Sequence, residues 1–218
     1  MRITLLALAL VAVPPAFAAD KIEGWSHGEA YVFTHTPEGP MRLGQVAADG
    51  RVAFDWPSVP STEQTLGATF PSCLDSGEPI VSPASPEFWP TSLFVASDDS
   101  GDQELGGLHL VSSPDVVAWK ASYGQESAVE GAWFQYVHVS QAARLEARCV
   151  MPTYTGEDED MYEQVTDYAV QFESGWNLMR NDITKLHTAP SGKTHPASIR
   201  VTVQDGEAED ARWVFETY

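Results

Sequence analysis

The chain has 218 residues, enough for one domain with a sizeable core, and carries 12 Lys and Arg against 31 Asp and Glu for a formal charge of −19. A surface of that sign repels phosphate backbones and anionic headgroups, which makes nucleic acid and acidic lipid poor partners, and no nucleic acid is expected. Cations, basic proteins and polar components of a cell envelope are compatible with it.

Arg2, the apolar run from Ile3 to Val13 and the small-x-small site Ala16-Phe17-Ala18 have the pattern of an export signal. Cleavage after Ala18 would remove residues 1–18 and leave a single domain, 19–218, in the periplasm, the cell envelope or the extracellular space. That removes one arginine and no acid, so the remaining chain is one unit more negative. The run falls short of the roughly 20 apolar residues that cross a bilayer, Pro14-Pro15 end it, and no later stretch approaches that length. No transmembrane span is expected. In an oxidising compartment the two cysteines, Cys73 and Cys149, are expected to form one structural disulfide. Its loop length corresponds to about 4 to 5 kcal/mol of chain-entropy stabilisation.

Along the chain, short apolar alternations are separated by turn signals, and no long 3.6-residue period occurs. Tyr31 to His35 is the first predicted strand. Met41 to Val46 and Arg51 to Trp56 follow as a hairpin turned at Ala48-Asp49-Gly50, with Val52, Phe54 and Trp56 on the core face. From Pro57 to Pro90, seven prolines break helices and central strands and make a long irregular connection that carries Cys73. Strands are expected again at Ser92 to Ala96, Gly107 to Val111, Val116 to Ser122, Trp133 to Val139 and Arg144 to Val150. In the last of these, Leu145, Ala147 and Cys149 face inward. Val165 to Phe172 comes next, then a turn at Gly175-Trp176-Asn177, a strand through Ile199, Val201 and Val203, and a final one at Trp213 and Phe215. About ten strands without a helix predict an all-β fold, a two-sheet antiparallel β-sandwich. A membrane β-barrel fits less well, because Arg212, Val214, Glu216 and Tyr218 would share the lipid face of the last strand.

Lys21-Ile22-Glu23-Gly24-Trp25, the strand Tyr31 to His35, and Gly44 to Phe54 with Trp56-Pro57 resemble the opening of transthyretin-like or carboxypeptidase-regulatory-like β-sandwich modules of bacterial envelope proteins. The resemblance covers about the first forty residues after the signal and consists of ordinary hairpin chemistry. It implies a sandwich and no particular activity.

The chain contains no Walker loop, H-E-x-x-H or paired C-x-x-C. Its six histidines are the residues best suited to a metal, and copper or zinc would be the natural occupant in an oxidising compartment. His187 and His195 would face each other if Pro190-Ser191-Gly192-Lys193 turns a hairpin. In its acidic charge, expected disulfide and β-rich character the chain resembles copper-dependent superoxide dismutases. It departs from them where an H-x-H strand is needed, since Tyr136-Val137-His138 and Leu108-His109-Leu110 each offer one histidine. A rearranged copper site would draw on His35, His109 and His138. The acidic run Asp98 to Glu104 surrounds a glycine with oxygen ligands for calcium but lacks the EF-hand spacing.

Seven tryptophans form a third lead, because an exposed indole on a β-sandwich can stack on a sugar or dock onto a protein. Trp89, with its neighbour Phe88, is the expected exposed pair. The sequence therefore suggests an exported β-sandwich with a structural or binding role toward a surface protein or polysaccharide. The alternative is a copper-dependent, superoxide dismutase-like oxidoreductase.

Overall fold

A computed structural model describes residues 21–58, 62–70, 80–83, 86–157, 159–205 and 208–218. Residues 1–18, expected from the sequence to be an export signal, and Cys73 lie outside the described residues. The fold is all-β. Its strands are β1 (Ala30–Thr36), β2 (Gly39–Val46), β3 (Val52–Phe54), β4 (Ile80–Ser82), β5 (Phe88–Pro90), β6 (Leu93–Ala96), β7 (Glu104–Val111), β8 (Gly131–Val139), β9 (Ala143–Tyr154), β10 (Met161–Phe172), β11 (Gly175–Thr188), β12 (Thr194–Val203) and β13 (Arg212–Thr217). Two short helices, α1 (Leu66–Thr69) and α2 (Pro114–Ala121), complete the described elements.

Hydrogen bonding runs through all thirteen strands, so the two sheets suggested by the sequence are parts of one branched sheet. The branch point is β7. Its first half pairs with β6, its last two residues pair with β8, and its other edge pairs with β13 along Gly106 to Val111. On one side of the fork the order β13-β7-β6-β1-β2-β3 curls back on itself. Lys21 bridges Arg51, and Ile22 bridges Trp213 in parallel, which closes the ring into a small barrel. The Asp49-Gly50 turn performs as its sequence predicts, with Gly50 at φ +89°. Gly106 matters for its small size instead, because a Cβ there would collide with the Glu216 carbonyl, and only glycine lets β13 lie this close.

Inside the barrel, Val32, Val46, Leu108, Leu110 and Trp213 are buried together with Phe134, Tyr136 and Leu178 from the neighbouring strands. Strand alternation then sends Val137, Val139 and Met179 to the opposite face of β8 and β11. There they form a second core with Phe88, Leu145, Val170, Phe172, Val201 and Leu66 of α1. β8 and β11 therefore serve two cores at once.

On the far side of the fork the order is β8-β11-β12-β10-β9-β4, with β10 and β12 parallel. Register aligns Arg148, Asp167, Arg200 and Asp182 in one row across β9, β10, β12 and β11, alternating in sign. Opposite charges directly across strands stabilise a sheet, and the row keeps this wide face nearly neutral.

Of the segment 116–122, where the sequence predicts a strand, residues 116–121 are helical and Ser122 is the C-cap. Ser113 caps α2 by accepting from the Asp115 N–H (3.2 Å), Pro114 occupies the first turn, Asp115 lies at the positive end and Lys120 at the negative end. Val116 and Val117, which resemble strand residues, are the two that α2 buries against Val111, Trp133 and Val214. Gly175-Trp176-Asn177 is likewise the start of the longest described strand, β11, and not a turn.

Candidate functional site

Trp89 lies in a groove built by local pairing. The Phe88 N–H donates to the Gln64 carbonyl (2.9 Å) and the Leu66 N–H to that of Pro86 (3.0 Å), so residues 64–66 add a short rung to β5. Thr65 caps α1 by accepting from the Ala68 N–H, which fixes the end of that rung. Alternation on β5 sends Phe88 into the second core, 1% exposed, against Phe70 and Phe172. The expectation that Phe88 is exposed is thus corrected: consecutive strand residues face opposite ways, and only Trp89 is left half-exposed.

Its indole borders a groove of about 320 Å³, walled by Thr62, Glu63 and Gln64 on one side and by Thr36, Pro37 and Glu38 of the β1–β2 turn on the other. Thr36 stiffens the turn, donating through Oγ1 to the Gly39 carbonyl (2.8 Å) and accepting from the Glu38 N–H (3.1 Å). Glu38, Glu63 and Gln64 are exposed. An aromatic face flanked by carboxylate, amide and hydroxyl groups can stack on an apolar ring face while bonding the hydroxyls at its edge. The wall residues carry no motif. They come together only because two segments far apart in the chain meet at β5.

A second cavity, about 90 Å³, lies at the fork between β7 and β8 and is lined by His109, Lys120, Trp133 and Gln135 among others. The His109 imidazole is 3.4 Å from the Glu216 carboxylate on β13, and burial holds its pKa below the ordinary histidine value. The Lys120 ammonium lies over the Trp133 ring (4.5 Å), and desolvation pushes its pKa down to about 8.

The three histidines considered for copper have separate surroundings. His35 is exposed and stacks on Phe94 (4.3 Å), and His138 packs edge-on against Trp176 (5.3 Å) opposite Trp89. Among the described residues, no group of three His, Cys, Asp or Glu side chains could hold a metal ion. The imidazoles fail to gather because the fork turns β1, β7 and β8 toward different neighbours. In the run considered for calcium, Asp98 accepts from the Ser100 hydroxyl (2.5 Å) and the Gln103 N–H (3.0 Å), so this carboxylate organises its own turn. The Ser100 hydroxyl is the main cause of its lowered pKa. Cys149 lies on β9 beside Thr166 and is disulfide-bonded.

His187 and His195 do pair directly across the β11–β12 hairpin. The His187 Nε2 bonds the Asp160 carboxylate (2.8 Å) and its ring stacks on Tyr162 (4.6 Å). Glu157 accepts from both the N–H (3.0 Å) and the hydroxyl (2.6 Å) of Ser191. The β9–β10 tip is thereby clasped to the β11–β12 tip. Hydrogen bonding from Ser191 and from His187 holds the Glu157 and Asp160 carboxyls below their ordinary values. Depressed acids stabilise the folded form above the unfolded-state pKa, and that contribution is lost as pH falls through the folded-state value. The Ser191 amide is accordingly expected to exchange hydrogen slowly at about pH 6 and to lose protection below about pH 4, after correction for intrinsic exchange. Protection unchanged down to about pH 2 would exclude the carboxylate clasp.

Comparison with protein-family models, curated proteins and solved structures finds no match.

Proposed function

We propose that this is an exported binding protein of the cell envelope, and that the groove beside Trp89 takes a surface polysaccharide. The observation that carries the reading is the groove itself: one indole face with Glu38, Glu63 and Gln64 around it, all outside the two packed cores. A polysaccharide suits this lining because its sugar rings present apolar faces and hydroxyl rims together. The acidic charge adds a selection, favouring neutral or cationic glycans over anionic ones. Export also accounts for the bonded state of Cys149, for which Cys73 is the proposed partner.

The test is affinity electrophoresis and calorimetry of the protein against neutral, amino-sugar and anionic envelope polysaccharides. Neutral or amino-sugar polymers are expected to bind, and Trp89→Ala to weaken that binding by about tenfold, the loss of roughly 1.4 kcal/mol of stacking. Trp89→Phe should retain most of it. No binding to any of these polymers, or equal binding by Trp89→Ala, would refute the assignment.

A further inference from the structure

The β9–β10 hairpin extends beyond the neutral charge row and changes character there. In register, Val150 pairs with Val165, Pro152 with Glu163 and Tyr154 with Met161, and alternation places all six on the face opposite the second core. Tyr154 is 56% and Met161 55% exposed. Water-facing apolar side chains of this size are costly to gather in one place without a use. Nearer the body of the sheet, Arg148 and Asp167 neutralise each other at 2.8 Å. Beyond them, Cys149 to Val165 contains no Lys or Arg. Glu157 and Asp160 are engaged in the clasp, while Glu159 and Glu163 stand exposed.

We propose that this outer face is a docking surface for a basic, apolar-bearing segment of a partner protein. Glu163 sits between the Tyr154–Met161 and Val150–Val165 rows, so the complementary segment is extended and presents apolar, Lys or Arg, apolar at every second residue. A second copy of this chain is a poor occupant, since both surfaces would bring the charge of a −19 molecule to the contact. The surface is separate from the Trp89 groove, and its occupation does not depend on the polysaccharide reading.

The probe is a labelled synthetic peptide of repeating Leu-Ser-Lys-Ser, which sets Leu and Lys on one face, with a Leu-Ser-Glu-Ser peptide as its counterpart, titrated by fluorescence anisotropy into the full chain. The Leu–Lys peptide is expected to bind and the Leu–Glu peptide not to. Glu163→Lys, and separately Tyr154→Ser with Met161→Ser, should each weaken binding by about tenfold, whereas Trp89→Ala leaves it unchanged. Thermal melts of the variants identify any loss that comes from unfolding, and Glu163→Gln, which alters no packing, should give an intermediate affinity. Equal binding by wild type and all hairpin variants would show general attraction to an acidic protein and overturn the proposal. So would the absence of Leu–Lys binding, or concentration-dependent dimerisation abolished by the same variants.

Discussion

Trp213→Ala is expected to lower the stability of the protein by about 3 to 5 kcal/mol, the usual range for emptying a large aromatic from a core. Trp213 is 2% exposed and lies within the ring formed by β13, β7, β6, β1, β2 and β3. Its backbone bridges Ile22, its strand pairs with β7, and its ring lies 5.6 Å from that of Phe54 on β3. The alanine variant would thus open a void at the seam that closes the barrel. Urea unfolding should show a lower midpoint, and a reduced slope as well if the seam frays in the folded state. Trp133→Ala is the matched control. That indole is half-buried under α2, so its removal should cost less than half as much. Equal losses for the two would mean that the barrel seam is not the more tightly packed site.

Much of this barrel is legible in the residues. The alternation of Val52, Phe54 and Trp56 identifies β3 and its inward face, Asp49-Gly50 identifies the turn before it, and Trp213 with Phe215 marks the last strand. Its closure is not legible, because it rests on two isolated bridges from Lys21 and Ile22, which need no pattern of their own. β11 was concealed for a related reason. Asn177, Leu178 and Met179 are all buried because this strand serves a core on each face, so the period of two disappears where it begins. In α2 the helix is marked by the cap residues Ser113, Pro114 and Asp115, while the β-branched Val116-Val117 pair has the look of a strand. At the candidate groove the indole could be picked out from its proline-rich setting. Glu38 and Gln64 could not, since they meet it only through tertiary pairing.

The two proposed surfaces divide along the same fork. The Trp89 groove is held between the barrel's β1–β2 turn and the strand β5, which pairs with β8, so it draws its walls from both sides of the branch point. The hairpin face belongs wholly to the extended arm, in which β9 and β10 pair over twelve residues each. A protein built this way could take one ligand in the groove and another at the end of the arm without either contact obstructing the other.

Beside the β7–β8 pairing and the shared strands, Arg180 ties the arm to the barrel, and Arg180→Ala is expected to cost about 2 to 3 kcal/mol. On β11 its guanidinium bonds Asp182 at 2.9 Å and reaches Asp210, in the segment entering β13, through two bonds of 2.9 and 2.8 Å; it also lies over the Phe134 ring at 5.1 Å. The Arg180 side chain is only 24% exposed and that of Asp182 25%, so removing the cation strands a carboxylate in a poorly solvated place. Hydrogen bonding from Arg180 holds the Asp210 carboxyl below its ordinary range. The sign follows directly: this stabilisation is complete above the unfolded-state pKa near 4 and is lost as pH falls through the lower folded-state value. Wild type and Asp210→Asn should therefore differ in stability at neutral pH and converge in acid. Arg148→Ala removes a pair whose side chains are 63% and 42% exposed, and should cost less than about 1 kcal/mol. If Arg180→Ala were as mild as Arg148→Ala in urea unfolding, the junction between arm and barrel would rest on the β7–β8 backbone pairing and apolar packing, and the Asp182–Arg180–Asp210 bridge would be a surface contact without mechanical consequence.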